Sequence, residues 1–128
     1  MINAYLEGIA SQYEGEDIEV RYSIYEDQEL LCKESFIIEY RKPAIVGQVA
    51  LVKLLKELEK YIGKEIVVII SDPALYEIIR GTSTTKNRDV LEMAIETRKE
   101  YSRFENIIIK DVSEDRIELA KWYKALQA

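Results

Sequence analysis

Two acidic side chains stand where phosphoryl chemistry could use them. Glu7, followed by Gly8, lies near the end of an N-terminal strand-like segment, and Asp72 closes the apolar run Ile66-Val67-Val68-Ile69-Ile70-Ser71. Carboxylates at the ends of two strands can hold a divalent ion, which neutralises charge developing on phosphate oxygens and activates water. The chain has no histidine, which excludes Ser-His and Cys-His catalysis and histidine-based zinc or iron sites. Chemistry must therefore rest on carboxylates, hydroxyls, lysines or tyrosines. Cys32 is the sole cysteine. It rules out an internal disulfide, fits a reducing cytosol, and reads as an inert buried or edge thiol.

A second group of residues could grip an anion. Arg80, Lys86, Asn87 and Arg88 bracket the stretch Gly81-Thr82-Ser83-Thr84-Thr85, and hydroxyls, lysines and arginines are the common contacts to phosphate. A solvated polar loop between helices is the plainer reading of the same residues. Arg41-Lys42 reads as a solvated helix entry. The net charge of −6 opposes broad affinity for nucleic acid, since phosphate contacts require local positive charge.

These residues must be held by a fold of ordinary size. The 128 residues are 48% apolar and 33% charged, which predicts one globular domain over residues 1–128. No apolar run is long enough to span a bilayer. The opening MINAYLEGIA carries acid where a signal peptide would carry positive charge, so a cytoplasmic protein with no membrane partner is expected.

Periodicity supplies the elements. Residues 2–10 read as a strand, and 13–17 as a polar turn. Ile18, Val20, Tyr22 and Ile24 alternate with Glu19, Arg21 and Ser23, the pattern of a half-buried strand. After a turn at 26–29, a third strand runs from Leu30 to Tyr40, and the three form an antiparallel meander. Beyond Pro43, Val46, Val49, Ala50, Leu54, Leu55, Leu58 and Ile62 recur at helical spacing until Gly63. Residues 65–71 form a central strand, and Pro73 opens a helix reaching Arg80. A helix over 89–102 and a strand over 107–112 follow. Ser113 is expected to cap a last helix whose buried side is Leu119, Trp122, Tyr123 and Leu126. Tyr22, Tyr61 and Tyr123 are expected in the core or at its boundary. The order is β-β-β-α-β-α-α-β-α, with strands four and five parallel to strand one.

Over nearly its whole length this pattern resembles the ribonuclease H fold, an α/β fold with a five-stranded mixed sheet flanked by helices. Tyr5-Leu6-Glu7-Gly8 is similar to the family's first strand with its Asp-Gly pair. Gly47-Gln48-Val49-Ala50 matches the start of its long helix, Ser71-Asp72-Pro73 its fourth strand end, and Arg116-Ile117-Glu118-Leu119-Ala120 its last helix. The resemblance implies two divalent ions held by four carboxylates. Here only Glu7 and Asp72 are acidic, and Gln48 and Ile117 occupy the other two positions. The implied function is nucleic-acid binding, to an RNA–DNA hybrid or double-stranded RNA, through a site that has lost nuclease activity. Gln48 is expected to hydrogen-bond Glu7 or Asp72 in place of the lost coordination. The alternatives are a surviving ribonuclease H, with Mg²⁺ or Mn²⁺ weakly held at Glu7 and Asp72, and a scaffold for a protein partner. A homodimer through Leu30–Tyr40 belongs to that last alternative. Glu114 and Asp115 could approach the strand ends, whereas Glu118 is rotated by about 100° from the site at helical pitch.

Overall fold

The computed structural model describes residues 1–11 and 13–127. Its strands are β1 (Ile2–Ile9), β2 (Ile18–Glu26), β3 (Glu29–Ile38), β4 (Ile66–Ile70) and β5 (Ile107–Asp111). Its helices are α1 (Val46–Leu58), α2 (Pro73–Arg80), α3 (Arg88–Tyr101) and α4 (Arg116–Leu126), with short 3₁₀ turns on either side of α1. The element order is the one expected. The five strands form one mixed sheet in the order β3-β2-β1-β4-β5. β1, β2 and β3 pair antiparallel, while β4 runs parallel to both β1 and β5.

Each connection has a local cause. Asp27 and Gln28 take positive φ in the two-residue β2–β3 turn, a geometry whose twist suits a tight hairpin. Gly63, at φ 96°, ends the α1 region where an L side chain would be strained. Asp72 caps α2, accepting the Leu75 N–H at 3.1 Å ahead of Pro73.

The sheet is covered on both faces. Ile2, Ala4 and Leu6 of β1 point to one face with Val20, Ile24, Val68 and Ile70, and pack on Leu51, Leu54, Leu55 and Leu58 of α1. On the other face, Ile69 and Val112 meet Trp122 and Leu126 of α4, with Tyr5, Val67 and Leu119 at the margin. The Trp122 indole N–H donates to the Leu6 carbonyl at 3.0 Å, and the Ser23 hydroxyl donates to the Ala125 carbonyl, tying the C-terminal half of α4 to the sheet.

Two expectations about α4 are corrected. Asp115, not Ser113, caps the helix, accepting the Glu118 N–H at 3.1 Å, while the Ser113 hydroxyl donates to Asp111. Tyr123 is 56% exposed and leans edge-on against Trp122; Ala125 takes the buried position. A small side chain lets the helix approach Ser23 where a phenol would hold it away. Tyr22 is buried and Tyr61 packs at the core margin, as expected.

Candidate functional site

The parallel register of β1 and β4, which sets Tyr5 beside Ile69, brings the two strand ends together. Glu7 and Asp72 line one cleft of about 120 Å³, walled by Gly8, Gly47, Ser71 and Trp122. Two glycines permit this closeness. A Cβ on Gly8 would lie 3.0 Å from the Ala50 Cβ and 3.1 Å from the Val46 carbonyl oxygen. A Cβ on Gly47 would lie 2.5 Å from the Asp72 Oδ2. The first turn of α1 therefore lies directly against the Asp72 carboxylate.

Asp72 also serves the fold. Asp72 accepts from Leu75 through Oδ1 while its own backbone N–H donates to Asp111 Oδ1 at 3.0 Å. Burial pushes the Asp72 carboxyl above its ordinary pKa, the Leu75 N–H pulls it back, and the nearby Asp111 charge raises it again. Burial likewise raises Glu7, against the pull of Arg21 across the strand pair. That guanidinium is itself committed to Glu19, at 2.9 and 3.1 Å.

The remaining expected positions make no bond to either acid. Gln48 is 3% exposed, and its amide donates to the Val90 carbonyl of α3 at 3.2 Å rather than bonding Glu7 or Asp72. Its Oε1 is buried with no partner. The cause is topological: α3 packs along α1 and presents a carbonyl where Gln48 emerges. Ile117, on the first turn of α4, is 71% exposed. Asp115 is occupied as a helix cap, and Glu118 binds Lys121 at 3.2 Å and Lys110 at 3.8 Å. Among the described residues no three His, Cys, Asp or Glu side chains gather as a metal-binding group. The donors around Glu7 and Asp72 do not fit a two-ion site, which needs several anionic oxygens to hold the cations together.

Sequence reasoning missed Asp111. It ends β5 opposite Ile70, bonds the Asp72 backbone, and accepts from both the N–H and the hydroxyl of Ser113. An acid closing the apolar segment Ile107-Ile108-Ile109 carries the same signal as Asp72.

The polar loop shares a second cleft with Asp72. A second cleft, of about 330 Å³, is bounded by Asp72 and Gln48 and by Ser83, Thr85 and Asn87 of the α2–α3 loop, with an apolar floor including Leu75 and Ile78. Asn87 caps α3, accepting from the Asp89 and Val90 N–H groups at 3.0 and 3.2 Å. Arg80 lies over the Tyr76 ring and donates to its hydroxyl at 2.9 Å. Arg88 pairs with Glu92 at 3.1 Å, and Lys42 with Asp89 at 2.8 Å. Lys86 is exposed and has no acidic partner among the described residues. Thus Asn87 reaches the cleft beside Asp72, while Arg80 and Arg88 are held along their own helices.

No family model matches the chain, and no curated protein matches it in sequence. Solved structures match its fold. A ribonuclease H1 from the halophilic archaeon Halobacterium salinarum superposes with a TM-score of 0.80 at 16% identity, over 97% of this chain and 90% of that one. LC11 ribonuclease H1, isolated from compost by a metagenomic approach, matches in its RNA/DNA hybrid complex with a TM-score of 0.79 at 15% identity, over 98% and 94% of the two chains. The N-terminal ribonuclease H domain of a Mycobacterium tuberculosis protein gives 0.76 at 14% identity, over 98% and 95%. The fold is ribonuclease H-like.

Proposed function

We propose that this chain is a ribonuclease H-like nucleic-acid-binding domain whose nuclease site has decayed, with an RNA–DNA hybrid or double-stranded RNA as its ligand. One observation carries the reading: Ser83, Thr85 and Asn87 of the α2–α3 loop line one cleft with Asp72, while Gln48 there is bonded to α3 and Ile117 faces solvent. Ser83, Thr85 and Asn87 offer the hydroxyl and amide groups, and Lys86 the charge, that hold a phosphate backbone. Gln48 is spent on Val90 and Ile117 faces solvent. The LC11 enzyme, similar in fold, was solved with an RNA/DNA hybrid bound, which supports this ligand class.

The test is fluorescence anisotropy with labelled hybrid and double-stranded RNA over a salt series, run beside a cleavage assay in Mg²⁺ and in Mn²⁺. The expected result is salt-sensitive binding, lost in a Lys86→Glu/Arg88→Glu double variant, with no cleavage above buffer. Cleavage abolished by Asp72→Asn would instead establish a working metal-dependent ribonuclease H. Salt-independent or absent binding would reject the nucleic-acid reading.

A second reading, a scaffold that pairs with a protein partner or a second copy, draws on β3. This strand is a sheet edge, and Leu30, Leu31 and Ile37 are exposed along it, the arrangement from which strand addition begins.

A further inference from the structure

Under the last turns of α4 lies a cleft that shares no lining residue with the Glu7–Asp72 cleft. The alternation of β1 and β2 sends Asn3, Tyr5 and Tyr25 to the α4 face, where Asn3 and Tyr25 are direct cross-strand partners. The Tyr5 and Tyr25 rings meet edge to face, 5.8 Å between centroids at 88°. Lys121 and Lys124, one helical turn apart on α4, and Gln28 of the β2–β3 turn complete a cleft of about 360 Å³.

Its charge runs against that of the chain. The protein carries −6 overall, yet this cleft is lined by two lysines and no acid. Lys121 shares Glu118 with Lys110, and Lys124 has no acidic partner among the described residues. The Tyr5 hydroxyl, a phenol protonated at neutral pH, can donate a hydrogen bond. The lining thus combines aromatic surface, two side-chain amides that can both donate and accept, and a cationic rim.

We infer that this cleft binds a nucleoside monophosphate, with the base against Tyr5 and Tyr25 and the phosphate at Lys121 and Lys124. A tyrosine face accepts any base by stacking, and Asn3 and Gln28 match the mixed donors and acceptors of a base edge. The Lys124 ammonium, with Lys121 beside it and shared with Glu118, matches a phosphate monoester, which carries about −1.5 to −2 at neutral pH. The inference is independent of the nucleic-acid reading of the Asp72 cleft, because the two clefts have no residue in common.

The test is a two-dimensional NMR titration of the ¹⁵N-labelled protein with AMP and CMP, and separately with adenosine and with inorganic phosphate. The expected result is saturable binding of the nucleotides, with shifts at Tyr5, Tyr25 and Lys124, and affinity about tenfold or more above either half-ligand. Lys124→Glu and Tyr25→Ala should each weaken it by about tenfold; both variants are checked for fold by their unperturbed spectra, and Tyr25→Phe should retain binding. The inference is overturned by an absence of saturable binding at millimolar nucleotide, by shifts confined to the Asp72–Asn87 cleft, or by phosphate alone binding equally well. Affinity unmoved by either variant would overturn it as well.

Discussion

Asp72 serves two structures at once, as the cap of α2 and as the acid shared by two clefts. Asp72→Ala removes the acceptor for the Leu75 N–H and should cost about 0.5–2 kcal/mol. Asp72→Asn keeps a capping oxygen and relieves both the burial of charge and the repulsion from Asp111, so its denaturation midpoint at pH 7 should stay close to that of the parent. Gln48 presents the opposite case. Its Oε1 is buried without a donor, a loss of about 1–3 kcal/mol, against about 0.5–1.5 kcal/mol for the bond its amide makes. Gln48→Leu should therefore leave stability unchanged or raise it by about 1 kcal/mol in urea titrations. Tyr22 contributes to the alkaline pH dependence, beside Tyr5 and Tyr101, whose hydroxyls burial also raises. Burial first, then the charges of Glu57, Cys32 and Glu34, push its hydroxyl from 10.0 up to about 12. A raised folded-state pKa contributes stability that is complete below pH 10 and is lost as pH rises toward 12. Over that window the parent should lose about 2–3 kcal/mol through this group, and Tyr22→Phe should flatten the alkaline limb of stability against pH.

The helices are placed by a few contacts of high leverage. α1 sits against β1 and Asp72 only because Gly8 and Gly47 have no side chain. Gly8→Ala meets a backbone carbonyl that cannot swing aside, and should cost about 1–3 kcal/mol by overpacking. Gly47→Ala meets the movable end of Asp72 instead. It should displace the carboxylate and weaken the α2 cap, seen as faster amide exchange at Leu75. α4 is fastened by the Trp122 bond to Leu6. Trp122→Phe should cost about 0.5–1.5 kcal/mol for the lost hydrogen bond, and Trp122→Ala about 3–5 kcal/mol for the vacated volume.

Across the protein, acidity limits how nucleic acid could be held. With −6 overall and Lys42 and Arg88 beside the loop already paired with acids, binding must come from a small local patch. The expected slope of log affinity against log salt is therefore shallow, about −1 to −2, because each neutralised phosphate adds about −0.9. The exposed β3 edge sets the other possibility for the whole assembly. If it joins two copies, Ile37→Lys should abolish the dimer seen in solution scattering, while changing monomer stability by less than about 0.5 kcal/mol.

Much of this was readable from local pattern. Alternation in β2, the apolar run of β4 and the helical spacing of α1 gave the element order, since each reports which faces of a single segment avoid water. Pro73 likewise foretold where a helix opens, and the absence of histidine excluded whole classes of chemistry. The site's membership was not readable in this way. Gln48 turns to Val90, Asp111 braces the Asp72 backbone, Asp115 displaces Ser113 as a cap, and Ala125 rather than Tyr123 faces the sheet. Each outcome depends on which group from a distant segment arrives at the same point with a free donor, acceptor or volume. Periodicity carries no record of that encounter; packing of the helices on the sheet creates it.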